Sequence, residues 1–208
     1  MSVDSYLSLE DGDEVLVKVK GSRFLGQAFH AQSREEAREK IQSVRKHYHD
    51  ARHVCSAMRL GPPLQTLEFR DDDGEPSGTA GAPMLDVLSS RELHDALVVV
   101  TRYFGGVKLG TGGLARAYGD AARAAVEAAR GRTIERSATL SVSCGYGDVG
   151  TIEALLAQAA SGIRRADRSF EGTPVFTLQV LPSQEARLRA LLLDATGGRA
   201  SIETRSSG

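Results

Sequence analysis

The sequence lacks several features that mark common protein classes. Among 208 residues it has no tryptophan, two cysteines and 5% aromatic side chains. Cys55 and Cys144 lie far apart without a CxxC spacing, so we expect two small buried residues rather than a disulfide framework or a zinc knuckle. Apolar runs stay well short of the roughly 18 residues of a membrane span, and the acidic N-terminus does not resemble a signal peptide. These features predict a cytoplasmic protein.

The chain also lacks an excess of charge of either sign. Its formal net charge is −1 at pH 7, and 41% of its residues are hydrophobic, as in ordinary globular proteins. Binding of nucleic acid over a whole surface depends on many contacts from lysine and arginine to phosphate. The charge balance therefore predicts that any such binding is local.

Hydrophobic periodicity predicts a mixed α/β domain over residues 1–133. A capping box, with Ser33 as the cap and Glu36 three residues later, indicates the start of a helix. Residues 96–100 have no polar face, which indicates a strand buried on both sides. The segment 71–83 shows no periodicity and is predicted to be a long loop. Further strands are expected at 15–19, 24–29, 53–60 and 64–70, and a helix at 113–131.

Residues 134–208 show the order of a second, smaller domain. A strand with alternating apolar residues at 137–144 precedes a helical pattern that ends near Gly162. Two strands, a helix expected to be capped by Ser183, and a last strand follow. The resulting βαββαβ order is typical of the ferredoxin-like fold, in which both helices cover one face of an antiparallel sheet. The predicted fold class is α+β with two domains.

The segment TRYFGGVKLGTGGLARAYG, residues 101–119, has five glycines between 105 and 113. A strand, a glycine loop and a helix in this order place unpaired amides and the positive end of a helix dipole together, which favours anion binding. Standard nucleotide motifs are not matched, because Thr111 stands where a P-loop needs lysine and no acidic residue follows at the Rossmann distance. A tight structural turn is the alternative interpretation.

The segment DDDGEPSGTAGAP, residues 71–83, combines acidic and hydroxyl side chains with glycines. Asp72 or Glu75 could act as a general base or as a magnesium ligand. The spacing of a calcium loop is absent, and a solvated acidic loop is the simpler interpretation. No cofactor is therefore expected, with Mg²⁺ kept as a possibility.

Three segments together resemble a known family. HYHDARHVCSAM (47–58), DDGEPSGTAGAPML (72–85) and VVVTRYFGGVKLGTGGLARAYGDA (98–121) are similar, in this order, to signature segments of the IMPACT family and its bacterial YigZ-like members. The resemblance implies a first domain like the second domain of ribosomal protein S5, and a second like the last domain of elongation factor G. It also implies a role in translation regulation.

The same resemblance implies a cleft for RNA or another ligand, formed by residues 71–83 and 102–116. Arg102, Lys108 and Arg116 would meet phosphates, and Tyr103 or Phe104 would stack on a base. The residues expected to line the cleft are His53, Asp72, Asp73, Glu75, Ser77, Thr79, Arg102, Tyr103, Gly105, Gly106, Lys108, Gly110, Gly112, Gly113 and Arg116.

Three functions remain open from the sequence. The first is a non-enzymatic module that binds RNA or the ribosome. The second is an enzyme that acts on a phosphorylated small molecule or nucleic acid, with or without a requirement for magnesium. The third is a regulator that binds a protein of the translation machinery and whose glycine loops are purely structural.

Overall fold

In the computed structural model, which describes residues 4–205, eleven strands and five α-helices form a mixed α/β structure. The strands build three sheets of five, four and two strands. Contacts divide the chain into two units, Tyr6–Ile134 and a second that runs from Glu135 and includes the residues just before Tyr6. From Ser5 to Glu135 the elements are β1 (Ser5–Leu9), β2 (Val15–Val19), β3 (Ser22–His30), α1 (Arg34–His47), β4 (His53–Leu60), β5 (Leu67–Asp71), α2 (Gly81–Ser90), β6 (Ala96–Tyr103), α3 (Gly110–Ala128) and β7 (Gly131–Glu135).

An antiparallel sheet of five strands, in the order β2-β3-β6-β4-β5, forms the centre of the first unit. Its middle strand β6 is buried on both faces, as predicted from its lack of polar residues. Val98 and Val100 belong to the core that contains residues of α2 and α3, whereas Leu97 and Val99 pack with residues of α1. Helices on both sides therefore hold the C-terminal end of β6, where the glycine-rich segment begins.

Helix α2 was not predicted. Gly81 and Pro83 were interpreted as loop residues at the end of 71–83, but they form the first turn of this helix. Proline is tolerated there because the amide it lacks has no partner within a helix. Strands β1 and β7, which pair with each other, were also missed, and α3 begins at Gly110 instead of Gly113.

Of the predicted side-chain caps of helices, Ser33 is confirmed and Ser183 is wrong. Ser33 Oγ accepts a hydrogen bond from the amide of Glu36 at 3.1 Å, so that cap is confirmed. Ser183 is not the cap of its helix: it lies inside the first turn, and its amide and hydroxyl donate to the Asp4 carboxylate at 2.8 and 2.7 Å. The partner of Ser183 lies 179 residues away in sequence, beyond the reach of a local pattern.

The second unit has the predicted βαββαβ order. Its sheet is antiparallel in the order β11-β8-β10-β9, and one core joins the sheet to both helices. In the described part of the chain, no helix is both long and apolar enough to cross a membrane. The elements are β8 (Ala138–Ser143), α4 (Val149–Gln158), β9 (Ile163–Ser169), β10 (Val175–Val180), α5 (Pro182–Ala195) and β11 (Ser201–Arg205).

A buried histidine lies just before β6. His94 is 2% exposed, and its Nδ1 is 2.9 Å from Thr66 Oγ1 and 3.1 Å from the carbonyl oxygen of Gly61. A carbonyl can only accept, so Nδ1 carries the proton, and within residues 4–205 the buried Nε2 has no hydrogen-bond partner. Burial lowers the pKa of His94, and the nearby charge of Arg59 lowers it further.

We expect His94 to make the protein less stable in mild acid. The unfolded imidazole takes up a proton near pH 6.5 and the folded one at lower pH, so the stability present above about pH 6.5 is lost as the pH falls. Urea unfolding between pH 7.5 and 5 should show a flatter pH dependence for His94→Asn than for wild type. His49→Asn, at an exposed histidine, should keep the wild-type slope. Equal slopes for all three proteins would contradict this assignment.

Candidate functional site

The loop between β5 and α2 is organised by the carboxylate of Asp72. Its Oδ1 accepts hydrogen bonds from the amides of Ala80 and Gly81 at 2.9 and 2.8 Å, and its Oδ2 accepts one from Gly78 at 2.7 Å. Burial acts to raise the pKa of Asp72, but these three amides hold it below its ordinary value. Asp72 therefore serves as the cap of α2, because Ala80, which occupies the cap position, has no polar side chain to do so.

The neighbouring carboxylates of Asp73 and Asp71 have hydrogen-bond and ion-pair partners of their own. Asp73 accepts from the amide of Val54 at 2.6 Å and pairs with Arg45 at 2.8 Å, while its carbonyl accepts from His53 Nδ1 at 2.8 Å. Asp71 accepts from the amide of Asp73 at 2.9 Å. Among the described residues, no group of three or more His, Cys, Asp or Glu side chains is arranged to hold a metal ion.

Glu75 lies at the centre of a buried polar network. Its Oε1 accepts from Arg102 Nη1 at 2.6 Å and from the hydroxyl of Tyr118 at 2.8 Å. The Cys55 thiol lies 3.4 Å from that hydroxyl and 3.0 Å from the carbonyl oxygen of Asp72. Burial raises the pKa of Cys55 to about 12 and also raises the pKa of Tyr118, so both stay protonated at neutral pH. The network joins the 71–80 loop to β6 and α3.

The Arg102 guanidinium lies close to two aromatic rings. Its Cζ is 5.6 Å from the ring centre of Phe24, which pairs with Arg102 across β3 and β6, and 5.7 Å from that of Phe104. The Arg102 side chain is 8% exposed, and its buried Nε has no hydrogen-bond partner in the described part of the chain. Phe104, by contrast, is 58% exposed and forms the solvent side of this stack.

The glycine-rich segment begins with a close backbone contact. A Cβ at Gly105 would lie 1.8 Å from the carbonyl carbon of Gly21, and the Gly105 amide donates to Ser22 Oγ at 3.1 Å. Only glycine fits there. Gly106 and Gly110 then adopt φ values of 88° and 71°, in the left-handed region that favours glycine. The backbone is therefore fixed at Gly105 and turns sharply on either side of residues 107–109.

Helix α3 begins with an exposed and positively charged surface. Lys108, Gly110, Gly112 and Arg116 are all exposed. Leu109, the residue before the helix, provides no side-chain cap hydrogen bond. The first amides of a helix have no partner within it, so they can donate to an outside acceptor. Arg116 also lines a groove of about 360 Å³ between α2 and α3, with Pro83 on the opposite wall.

Tyr103 lies on the other face of the sheet from Arg102, because neighbouring residues of a strand point to opposite faces. Its hydroxyl donates to Asp50 at 2.5 Å, and the Arg23 guanidinium lies 4.7 Å from its ring centre. The bond to Asp50 raises the pKa of Tyr103 and lowers that of Asp50. Tyr103 is thus separated from the Glu75 network.

Similarity to known proteins is extensive. Residues 20–126 match the family described as the Impact N-terminal domain. The chain is 37% identical over 189 residues to the IMPACT family member YigZ of Escherichia coli K12, a match that covers 88% of this chain and 90% of that protein. The chain belongs to the IMPACT family. It is also 47% identical over 115 residues to the IMPACT family member YvyE of Bacillus subtilis 168, a match that covers 55% of this chain and 52% of that relative.

A solved structure is similar to almost the whole chain. A crystal structure of a hypothetical protein is 31% identical, with a TM-score of 0.67, and the match covers 99% of this chain and 98% of that one. The family match at 20–126 includes the 71–80 loop, the Glu75 network and the start of α3. These features thus lie within the part of the chain that matches the Impact N-terminal domain.

The residues that the IMPACT resemblance predicted as one site fall into distinct places. His53, Asp72, Asp73, Glu75, Thr79 and Arg102 lie in or beside the buried network, where His53 pairs directly with Arg102 across β4 and β6. Ser77, Gly106, Lys108, Gly110, Gly112 and Arg116 are exposed, and Gly113 is half-buried. Gly105 lies against the backbone of Gly21, and Tyr103 lies on the opposite face of the sheet from Arg102.

Two residues of the arrangement were missed from the sequence. Tyr118 was predicted as part of an apolar seam on α3, and Phe24 as an ordinary strand residue. In the structure Tyr118 donates a hydrogen bond to Glu75, and the Phe24 ring lies against Arg102. The signal for Tyr118 was its hydroxyl, since a buried tyrosine usually has a hydrogen-bond partner. Nothing local identified Glu75 as that partner, 43 residues away.

Removing the Tyr118 hydroxyl should destabilise the first unit. Tyr118→Phe leaves Glu75 buried with one donor fewer, and we expect a loss of roughly 1–3 kcal/mol in the free energy of unfolding. Tyr146→Phe removes a hydroxyl that is bonded to two carbonyls at an exposed residue, and should change stability much less. Urea unfolding of both variants compares the two losses, and similar losses would contradict the role of the network.

Two glycine substitutions should have opposite effects. Gly105→Ala forces a side chain into the Gly21 backbone and should destabilise the protein by at least about 1–3 kcal/mol. Around Gly112 no described atom lies within 4 Å of an added Cβ, and alanine is the better helix former, so Gly112→Ala should be neutral or slightly stabilising. Thermal unfolding tests both, and a stable Gly105→Ala protein would show that the backbone contact is dispensable.

Proposed function

We propose that this protein is a non-enzymatic binding protein related to translation regulation, and that it contacts RNA, free or within the ribosome, through the surface formed by residues 71–83 and 102–116. The observation that carries the proposal is the exposed start of α3, which lies between Lys108 and Arg116 and receives no side-chain cap from Leu109. Membership of the IMPACT family supports the link to translation. A protein of the translation machinery is a further partner under this proposal.

The proposal includes the finer fold assignments. We assign the first unit to the fold of ribosomal protein S5 domain 2. The second unit is assigned to the ferredoxin-like fold, as in the last domain of elongation factor G. The sheet order β11-β8-β10-β9 supports the second assignment, because a βαββαβ chain of that class places its first and third strands at the centre of the sheet.

The exposed groups have complementary roles toward RNA. Lys108 and Arg116 supply cationic contacts to phosphate, and the amides at the start of α3 donate hydrogen bonds to phosphate oxygens. The exposed Phe104 ring offers a surface on which one base stacks. Gly110 and Gly112 allow the nucleic-acid backbone to come close, since a side chain at either position would stand in its way.

Binding is favoured over catalysis because of how the carboxylates are used. Asp72 caps α2, and Glu75 is held by Arg102 and Tyr118. A magnesium-dependent enzyme acting on phosphorylated molecules would need one of these carboxylates to be released from its donors. The binding proposal requires no such change.

Lys108→Ala should weaken RNA binding. We expect an affinity severalfold lower at low salt, and a plot of log affinity against log salt that is less steep by about 1, because one phosphate contact is lost. Fluorescence anisotropy with a labelled single-stranded RNA at several salt concentrations measures both values.

Lys18→Ala is the matched control, since Lys18 is an exposed lysine on the edge strand β2. It should retain wild-type affinity and slope. If wild type, Lys108→Ala and Lys18→Ala bind RNA equally, the proposed surface is wrong, and if wild type does not bind RNA, the proposed function is wrong.

A further inference from the structure

The Arg102 guanidinium is incompletely paired for a buried charge. A guanidinium has five N–H donors, and buried donors in proteins are almost always hydrogen-bonded. Arg102 donates from Nη1 to Glu75, whereas its Nε is buried and, among the described residues, has no acceptor. The side chain therefore has an unused donor edge facing away from its carboxylate partner.

Folding stability does not by itself require an ion pair at this position. Replacing a buried ion pair by apolar side chains of similar volume is often neutral or stabilising, because both charges lose their hydration on burial. An arginine with one edge occupied and another edge free suits the planar, two-pronged recognition of an oxyanion. This chemistry points to a ligand that completes the coordination of Arg102.

An exposed aromatic side chain lies against Arg102. The rings of Phe24 and Phe104 both lie close to the guanidinium, and Phe104 is more than half exposed. The backbone next to Phe104 is held by the contact of Gly105 with Gly21. Rotation of the Phe104 ring about its own side-chain bonds would thus uncover Arg102 without a backbone movement.

Three of the acidic residues nearby are each held by their own donors. Asp72 is held by three amides, and Asp73 by the Val54 amide and Arg45. Glu75 occupies the Nη1 side of Arg102 and receives a second hydrogen bond from Tyr118. These three carboxylates are therefore occupied by donors other than the Nε of Arg102.

We propose that the Nε edge of Arg102 binds one phosphate of an RNA backbone, and that the Phe104 ring covers this edge in the free protein and moves aside when RNA binds. This inference rests on the proposed function and adds to it a masked phosphate position. Covering the site lowers the apparent affinity by the fraction of molecules that are open. Removing the cover should therefore strengthen phosphate binding.

The test follows the Nε–H resonance of Arg102 in ¹H–¹⁵N spectra of the full-length protein, with inorganic phosphate as the probe. The resonance is assigned by its loss in Arg102→Lys or, if that variant does not fold, in the double variant Arg102→Met with Glu75→Gln. Phosphate at constant ionic strength should shift this signal saturably, and Phe104→Ala should lower the midpoint at least about threefold. Phe104→Leu, which keeps an apolar cover, should stay close to wild type.

Acetate at the same ionic strength distinguishes a phosphate ligand from a carboxylate ligand. A larger shift with phosphate supports the assignment, and an equal or larger shift with acetate would overturn it in favour of a carboxylate ligand. An Arg102 signal that does not move in Phe104→Ala at any phosphate concentration would overturn the site altogether.

RNA titrations separate this inference from the proposed function. If RNA binds and Lys108→Ala weakens it while the Arg102 signal stays unchanged, the masked phosphate position is wrong and the RNA-binding surface stands. If wild type binds no RNA but phosphate shifts the Arg102 signal, the proposed function is wrong, and Arg102 remains an oxyanion site for another phosphorylated ligand.

Discussion

The buried carboxylate of Glu75 is the group on which the arrangement of the first unit depends. Its two donors come from different elements, Arg102 from β6 and Tyr118 from α3, and Glu75 itself comes from the 71–80 loop. Removing one partner of a buried ion pair typically costs about 3–5 kcal/mol, because the other charge is left without compensation. The network therefore fixes that loop against the end of β6, directly before the glycine-rich segment and the exposed start of α3.

Features of the fold that depend on local patterns were predictable from the sequence. Strand β4 occupies the predicted residues, His53–Leu60, and β6 is the buried strand that its lack of polar residues indicated. Helix α2 escaped prediction because its first turn contains Gly81 and Pro83, which are loop signals, while its cap is Asp72, nine residues from Gly81. Ser183 was misassigned for a related reason, since its partner Asp4 is distant in sequence.

Many residues of the candidate site were predictable from the sequence, but the contacts between them were not. The sequence identified the exposed Lys108, the glycines at the start of α3 and the acidic 71–83 segment. It could not show which of Tyr103 and Arg102 faces the site, because the side of the sheet on which the site lies depends on how helices pack against it. Gly105 shows a different limit of sequence analysis. The glycine-rich composition predicted that the backbone comes close to another group, but it could not show that this group is the protein's own backbone at Gly21.

The capping of α2 by Asp72 has a consequence for proteolysis. A segment rich in Asp, Gly and Pro is ordinarily where a protease first cuts a folded protein, because its backbone can extend into the cleaving enzyme. Here the amides of Gly78, Ala80 and Gly81 are bonded to one carboxylate, and extension would break all three bonds at once. The acidic loop should thus resist nicking, and within this unit the exposed turn at 106–109 would be cut before it.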